Sequence, residues 1–279
     1  MSIQDMGNSS AAEINDRPGF FIPYRYAAQT RPRPAPAWLM QMFASAEPSM
    51  CQWLGAARSY TARLREFAHA HDQRPHQPRF DQDWFTGLDA TLAYTVVREL
   101  APARIVEVGS GHSTRFMAQA IADGGLQTHL HSIDPQPRRA IDELCATVSR
   151  VPLAQADDKI FASLAHNDIL FVDGSHIFMP GSDVDQIFVE VVPQLKAGVL
   201  VHVHDIFLPG NYPSQWDWRS YNEQGLLAAL LGTGRFDVIA ASAYLTYQRP
   251  ELLEAVYCPL ASGFASSLWL RIGASQASP

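Results

Sequence analysis

The feature that most constrains the fold is an apolar run that ends in two glycines, residues 104–114 (RIVEVGSGHST). Its first half is β-branched and apolar, which predicts a buried strand. Gly109 and Gly111 permit a sharp turn and a close approach to a ligand, and Ser113 can cap a following helix. In open α/β sheets ligands bind at the carboxyl ends of strands. We therefore expect a cofactor at this turn.

The rest of the chain alternates between segments with the hydrophobic pattern of a strand and segments with the hydrophobic pattern of a helix. Such alternation predicts a Rossmann-like, doubly wound and mainly parallel seven-stranded α/β sheet. The predicted strands lie near 104–108, 127–133, 150–153, 169–173, 198–204, 236–241 and 267–272. The predicted helices lie near 84–100, 113–122, 137–147, 183–194 and 219–231.

The amino-terminal part differs in composition from the rest of the chain, and its pattern predicts a helical extension. A polar start, expected to be disordered, is followed by a Pro-rich connector, a short helix and a longer amphipathic helix that Ser49 caps. These segments are 1–17, 31–36, 38–46 and 49–71. We expect residues 1–80, with their Pro-rich linker, to form the extension and residues 81–279 to form the main domain.

The bulk composition excludes several classes of function. A net charge of −7 argues against a nucleic-acid or anionic-membrane partner, which needs clustered basic residues. The three cysteines are far apart in sequence, so they indicate neither a zinc site nor a disulfide framework. The chain lacks a signal-peptide pattern and an apolar run long enough to span a bilayer. We expect a cytoplasmic protein with a small-molecule partner, and its assembly into a homo-oligomer stays open.

Acidic residues stand at or near the ends of the predicted strands. They are Glu107, Asp134, Asp157 and Asp173. Because parallel strand ends meet at one edge of the sheet, these groups can line one crevice. Asp134 can accept hydrogen bonds from both hydroxyls of a ribose, and Asp157 can lie near the base of a nucleoside.

Three nucleotide-site or hydrolase patterns are disfavoured by the same turn. A dinucleotide fingerprint needs a small residue where Thr114 stands, which argues against a nicotinamide-dependent oxidoreductase. No G-K-[ST] sequence occurs, so a P-loop is excluded. The turn also lacks the G-x-S-x-G elbow of α/β-hydrolases.

The pattern Glu-x-Gly-x-Gly-x-Ser over 107–113 instead resembles motif I of class I S-adenosylmethionine-dependent methyltransferases. The resemblance covers roughly 80–245 and is closest to the small-molecule branch with Asp-Gly-x-His and His-Asp motifs. It continues through Asp134, Asp157, residues 171–176 (FVDGSH), residues 195–198 (LKAG) and His204-Asp205.

The resemblance implies a role for each matching residue. Gly109 and Gly111 would pass under the methionine part of the cofactor, and Glu107 would stabilise its amino group. Asp134 would hold the ribose, while Ala156 and Asp157 would flank the adenine. The full set expected to bind the cofactor is Glu107, Gly109, Ser110, Gly111, Ser113, Asp134, Asp157 and Asp173.

The expected transfer chemistry centres on two histidines. Methyl transfer needs alignment of donor and acceptor and removal of a proton, for which His176 and His204 are the candidate bases. Asp173 and Asp205 offer oxygen ligands that suit Mg²⁺, although the neighbour at Ile206 cannot serve as a ligand. His202 is expected to be a buried, hydrogen-bonded histidine.

Aromatic residues are expected to cover the site. The loop 206–218 follows the fifth strand and carries Tyr212, Trp216 and Trp218, while Trp84 and Phe85 could form a lid. The resemblance implies methyl transfer from S-adenosylmethionine to a small molecule, and we expect the acceptor atom to be a hydroxyl oxygen. The alternative is a binding or scaffold protein that keeps the fold without turnover.

Overall fold

The computed structural model describes residue 26 and residues 29–67, 76–137, 140–259 and 264–274. The predicted disorder at the amino terminus falls outside the described residues.

One sheet of seven strands forms the centre of the protein. The strands are β1 (Arg104–Val108), β2 (His129–Ile133), β3 (Thr147–Ser149), β4 (Ile169–Val172), β5 (Leu200–Val203), β6 (Phe236–Ala241) and β7 (Leu268–Ile272). Their order is β3-β2-β1-β4-β5-β7-β6, and β7 runs antiparallel to both of its neighbours. The other pairs are parallel. The predicted doubly wound, mainly parallel, seven-stranded α/β sheet is confirmed.

The strand order creates a crevice between the loops that follow β1 and β4. From β1 the chain moves outward to β2 and β3, then returns to the other side of β1 as β4. Backbone hydrogen bonds continue past the strand ends: Asp173 N donates to Val108 O and His204 N donates to Val172 O, each at 2.9 Å. The loops that carry the candidate site residues are therefore held in register with one another.

The central strands are buried because helices cover both faces of the sheet. Strands β4 (ILFV) and β5 (LVHV) are buried along their whole length, as continuous apolar runs predict. The helices are α1 (Ala37–Ser45), α2 (Glu47–Ser59), α3 (Thr61–Phe67), α4 (Gly87–Leu100), α5 (His112–Gly124), α6 (Lys159–Ala162), α7 (Asp183–Asp185), α8 (Glu223–Leu231) and α9 (Ser242–Gln248). Helix α7 continues as a π-helical turn, Gln186–Val191, and a 3₁₀ turn, Val192–Gln194.

The amino-terminal helices pack directly on the sheet domain. The predicted long helix is instead two helices, α2 and α3, with a break at Tyr60, whose ring packs edge-on against Tyr94 of α4. Phe43 and Met50 belong to the same hydrophobic core as the strands. Arg63 of α3 forms a two-pronged salt bridge with Asp123 at 2.7 and 2.9 Å. The proposed division at residue 80 stays a prediction.

Two local predictions are wrong. The helix expected over 137–147 is absent from its described residues, and the strand expected over 150–153 lies earlier, at Thr147–Ser149. Ile141, Leu144 and Cys145 have helical spacing, but they form only a single turn. Thr147 pairs with His131 of β2, so the residues that would continue the helix are part of the sheet instead. The tertiary contact therefore overrides the local pattern.

The helix predicted over 219–231 begins later, at Glu223, after a 3₁₀ helix that covers Ser214–Arg219. Among the described residues, no helix has the length and apolar character required to cross a bilayer.

Candidate functional site

A cavity of about 660 Å³ lies at the carboxyl edge of the parallel strands. This volume falls in the range of small-molecule sites, about 300–1,000 Å³. The cavity is lined by these predicted site residues: Gly109, Ser110, Gly111, Asp134, Asp173, His176, His204 and Asp205. Glu107, Ser113 and Asp157 are outside its lining. The structure thus brings together most of the site that the sequence predicts.

The two glycines of the turn after β1 have different roles. Gly109 has φ +79°, and a Cβ added there would lie 1.9 Å from the carbonyl oxygen of Asp173. This glycine therefore allows the β1 and β4 loops to touch. A Cβ added at Gly111 meets no atom within 4 Å, so this residue faces the open cavity.

Glu107 lies behind the turn rather than in the cavity wall. Its carboxylate is fully buried and accepts hydrogen bonds from Ser113 Oγ and Thr114 Oγ1, each at 2.7 Å. Burial raises the pKa of Glu107 to about 8, although the two hydroxyls partly oppose this shift. Thr114 Oγ1 also accepts from Gly111 N at 3.0 Å. Glu107 thereby fixes the shape of the turn, and its predicted contact with the cofactor stays a prediction.

Asp134 stands at the end of β2 and faces the cavity. Its Oδ2 accepts hydrogen bonds from Ser110 N at 2.9 Å and Ser110 Oγ at 2.8 Å, and its Oδ1 accepts from Gln136 N at 2.8 Å. A carboxylate has about four lone-pair sites, and these three hydrogen bonds leave about one of them for a ribose hydroxyl. Its predicted contact with a ribose stays a prediction.

Asp157, which was predicted to lie near the base of a nucleoside, is outside the cavity lining. Its side chain is exposed, and Oδ1 accepts a hydrogen bond from Lys159 N at 3.0 Å, at the start of α6. The wall at this side of the cavity is formed by Leu153 and Ala154. The reason is the earlier end of β3, which places the following 3₁₀ turn, rather than Asp157, against the cavity.

Asp173, His176, His204 and Asp205 form a compact group that we call the carboxylate–imidazole cluster. Asp173 Oδ1 lies 3.4 Å from His176 Nε2 and 3.3 Å from His204 Nδ1. Asp205 reaches the same two nitrogens, with Oδ2 3.4 Å from His176 and Oδ1 3.4 Å from His204. His176 and Asp205 both have left-handed backbone conformations, with φ +61° and +56°.

Two further acidic residues, which the sequence analysis missed, contact the ring nitrogens of the two imidazoles that face away from Asp173 and Asp205. Glu223 of α8 contacts His176 Nδ1, and Asp89 of α4 lies 3.3 Å from His204 Nε2. Both carboxylates are fully buried. Asp89 could have been recognised in the sequence, because it is the one charged residue in an otherwise uncharged helix start (GLDATLAY). Glu223 has no such signal, because it opens an ordinary helix.

The carboxylates and imidazoles of the cluster shift one another's pKa values toward the charged forms. Burial would lower the pKa of His176, but Glu223, Asp173 and Asp205 outweigh it and raise that pKa well above its usual range. Burial would likewise lower the pKa of His204, and Asp173 and Asp205 raise it well above normal. The imidazoles in turn hold the pKa of Asp173 below its usual range despite burial.

His202 has a separate environment on the same strand. Its Nε2 lies 2.8 Å from Ser267 Oγ, and its ring stacks on Phe171 with centroids 3.7 Å apart. Burial, followed by the neighbouring His204, lowers the pKa of His202. The prediction of a buried, hydrogen-bonded histidine is confirmed.

Aromatic side chains border the cavity mouth. Trp84, Phe85, Trp216 and Tyr221 line it, whereas Trp218 is 78% exposed and lies outside the lining. The Arg219 guanidinium carbon lies 4.3 Å from the centre of the Trp216 ring, while its Nη1 is 3.9 Å from Asp205 Oδ2. Arg219 therefore adds a fixed positive charge next to the cluster.

Comparison with known families identifies the central part of the chain. Residues 106–206 match the profile of a family described as "Methyltransferase domain". This segment is a methyltransferase domain. The prediction of a methyltransferase is confirmed for this segment, which spans β1 to the end of β5 and carries the turn and the cluster. No curated protein sequence matches the chain.

Solved structures resemble the methyltransferase domain and its surroundings distantly. The Podospora anserina methyltransferase PaMTH1 bound to SAH is 16% identical over 78% of this chain and 88% of that protein, with a TM-score of 0.42. The Bacillus cereus O-methyltransferase in complex with SAH is 14% identical over 80% and 91%, with a TM-score of 0.40. At these values the likeness says nothing about the ligand or acceptor of this chain.

Proposed function

We propose that the protein transfers the methyl group of S-adenosylmethionine to a hydroxyl oxygen of a small molecule. The observation that carries this proposal is a single cavity whose wall includes both the glycine turn with Asp134 and the carboxylate–imidazole cluster. A donor held at the first and an acceptor held at the second would share one space. A cytoplasmic location and a homo-oligomer stay predictions.

The residues present fit S-adenosylmethionine. Gly111 leaves open space over its Cα, and Asp134 keeps acceptor capacity for one further hydroxyl. Ile133 and Leu153 provide apolar contacts for a base, and ionised Asp173 faces the cavity that would hold a cationic ligand. When bound, this cofactor supplies an electrophilic methyl group on a sulfonium.

The chain itself would align and activate the acceptor. Asp173 and Asp205 are acidic residues at the cavity wall that can accept a hydrogen bond from an acceptor hydroxyl and orient its oxygen. The raised pKa values of His176 and His204 favour cationic imidazoles, which stabilise a negative oxygen but do not remove its proton. We therefore infer that the histidines predicted as bases act through their positive charge, and that Asp205, rather than Asp173 with its lowered pKa, receives the proton.

The cluster does not provide the ligands that Mg²⁺ prefers. Asp173 and Asp205 offer oxygen atoms, but imidazole nitrogens stand next to them, and the buried side chain of Ile206 has no ligand atom. We derive no step through Mg²⁺.

Incubation with S-adenosylmethionine and a panel of small phenols and alcohols tests the proposed activity. Mass spectrometry is expected to detect a methylated product and S-adenosylhomocysteine in equal amounts. Asp205→Asn is expected to lower kcat by about 100-fold or more while changing the Kd for S-adenosylhomocysteine by less than about threefold, because the lost charge acts on the acceptor side. Binding of the cofactor product without turnover of any panel member would favour the alternative of a non-catalytic binding protein.

Loss of the Asp134 carboxylate is expected to weaken cofactor binding. Asp134→Ala removes the proposed ribose acceptor and should raise the Kd for S-adenosylhomocysteine by about 5- to 150-fold, the effect of about 1–3 kcal/mol. Isothermal titration calorimetry measures this change. Asp157→Ala is the matched control, since this exposed residue lies outside the cavity lining and accepts a hydrogen bond from Lys159 N, and the Kd of this variant is expected to stay within about threefold of wild type. Equal losses in both variants would contradict the assignment.

A further inference from the structure

The Arg219 side chain is held in place by the aromatic residues around it. It ends the 3₁₀ helix Ser214–Arg219, and its guanidinium carbon lies 4.3 Å from the centre of the Trp216 ring and 5.4 Å from that of Tyr221. Its Nη1 donates a hydrogen bond to the Tyr221 hydroxyl at 2.9 Å. Trp216 in turn packs edge-on against Phe207, with ring centres 5.1 Å apart. The guanidinium is therefore positioned before a ligand binds, which lowers the entropy lost on binding.

Two of the three guanidinium nitrogens keep unused donors. Within the described part of the chain, neither Nε nor Nη2 of Arg219 has a hydrogen-bond acceptor. Asp205 faces Nη1 instead, and its Oδ2, at 3.9 Å, is beyond hydrogen-bond distance. Nε and Nη2 form one edge of the planar guanidinium, and a carboxylate binds such an edge through two parallel hydrogen bonds. Arg219 thus offers a complete two-donor site.

The same arginine lies in the cavity wall next to the residue proposed to receive the acceptor proton. Among the described residues, Arg219 is the only lysine or arginine that lines the cavity. Its Nη1 is 3.9 Å from Asp205 Oδ2. A hydroxyl group on Asp205 and an anionic group on Arg219 can therefore belong to one small molecule.

The surroundings of Arg219 favour a singly charged, aromatic ligand. Asp173, Asp183 and Asp205 also line the cavity, so a phosphate dianion would be repelled more strongly than a carboxylate. The rings of Trp216 and Tyr221 meet at 82° with centres 5.9 Å apart, and both line the cavity. A ligand ring can pack against either of them, face to face or edge to face.

We propose that Arg219 binds a carboxylate of the acceptor, and that the acceptor is a small aromatic hydroxy acid whose ring packs against Trp216 and Tyr221. Its hydroxyl would then reach Asp205. The role of that hydroxyl rests on the proposed methyl transfer, whereas binding of the carboxylate does not. Arg219 is in this way a specificity-determining residue, and a neutral phenol of the same size would leave its donors unused.

Binding of matched ligand pairs to the full-length chain tests this proposal without a methyl-transfer assay. Calorimetry with and without S-adenosylhomocysteine compares meta- and para-hydroxybenzoate with the corresponding hydroxybenzamides, which keep the ring and the hydroxyl but lack the charge. We expect at least one acid to bind about tenfold or more tightly than its amide, because hydrogen bonds between charged groups are the stronger kind. We expect para-hydroxyphenyl phosphate to bind more weakly than that acid.

Variants assign the preference to one side chain. Arg219→Gln is expected to reduce the preference for acid over amide to less than about threefold, and to change the Kd for S-adenosylhomocysteine by less than about threefold. Arg219→Lys keeps the positive charge but loses the planar fork, and is expected to keep only part of the preference. Arg150→Gln is the control, since this exposed arginine pairs with Asp142 outside the cavity lining. Circular dichroism of every variant verifies folding.

Four results would overturn the proposal: equal affinities of the wild type for the acids and their amides, tighter binding of the phosphate, an undiminished preference in folded Arg219→Gln, or a loss of S-adenosylhomocysteine affinity in that variant larger than its loss of acid affinity. A failure of the proposed methyl transfer is distinguishable, because it leaves the binding preference intact. If Arg219→Gln does not fold, Arg219→Lys still decides, since a full preference in that variant would contradict a two-donor site.

Discussion

Replacing Gly109 by alanine is expected to reduce the free energy of unfolding by about 3 kcal/mol or more. Its φ of +79° disfavours any side chain, and the new Cβ would lie 1.9 Å from the carbonyl oxygen of Asp173. A left-handed non-glycine residue costs about 1–3 kcal/mol, and overpacking against fixed backbone adds about 1–3 kcal/mol. Urea denaturation followed by circular dichroism measures the loss.

Gly111→Ala is the matched control in the same turn. Its Cβ would meet no atom within 4 Å, so the unfolding midpoint is expected to stay close to that of wild type. The new methyl group would instead occupy space over which the cofactor is proposed to lie, and the Kd for S-adenosylhomocysteine is expected to rise by about tenfold or more. Wild-type stability in Gly109→Ala would show that the loops after β1 and β4 can separate, contrary to the structure.

The contrast between these glycines shows how far the sequence could predict the site. The turn, Asp134 and the two histidine motifs were predictable, because their chemistry and their order along the chain are local. The close approach of Gly109 to Asp173 was not predictable from the sequence. The two residues are 64 positions apart, and only the folded sheet brings them together. Motif spacing fixes which residues share an edge of the sheet, and packing decides which atoms touch.

The wrong predictions of secondary structure and the missed site residue have the same physical origin, which is contact between residues far apart in the sequence. The segment after β2 contains Ile141, Leu144 and Cys145 at helical spacing, yet pairing of β3 with β2 takes the following residues into the sheet. The shift of β3 removed Asp157 from the cavity wall and placed Leu153 there. Glu223 was missed because helix α8 reaches His176 only through the tertiary fold. Long-range contacts of this kind leave no periodic signal in the sequence.

The pH dependence of stability is expected to differ sharply between the wild type and Glu107→Gln. Burial raises the pKa of Glu107 to about 8 in the folded protein, from 4.5 for an exposed carboxyl. The folded protein therefore keeps a proton that the unfolded chain has released. The stability that this group contributes is fully present below pH 4.5 and is lost as the pH rises through 8.

Glutamine imitates the protonated carboxyl, because its amide donates and accepts towards the hydroxyls of Ser113 and Thr114 without titrating. Between about pH 5 and 8 the free energy of unfolding of Glu107→Gln, minus that of wild type, is expected to increase by up to about 1.4 kcal/mol per pH unit. Urea unfolding at several pH values measures this difference, in which the titration of other groups, including the histidines, cancels. A difference that stays constant over the range would mean that Glu107 is ionised in the folded protein, and that the hydroxyls of Ser113 and Thr114 compensate its burial.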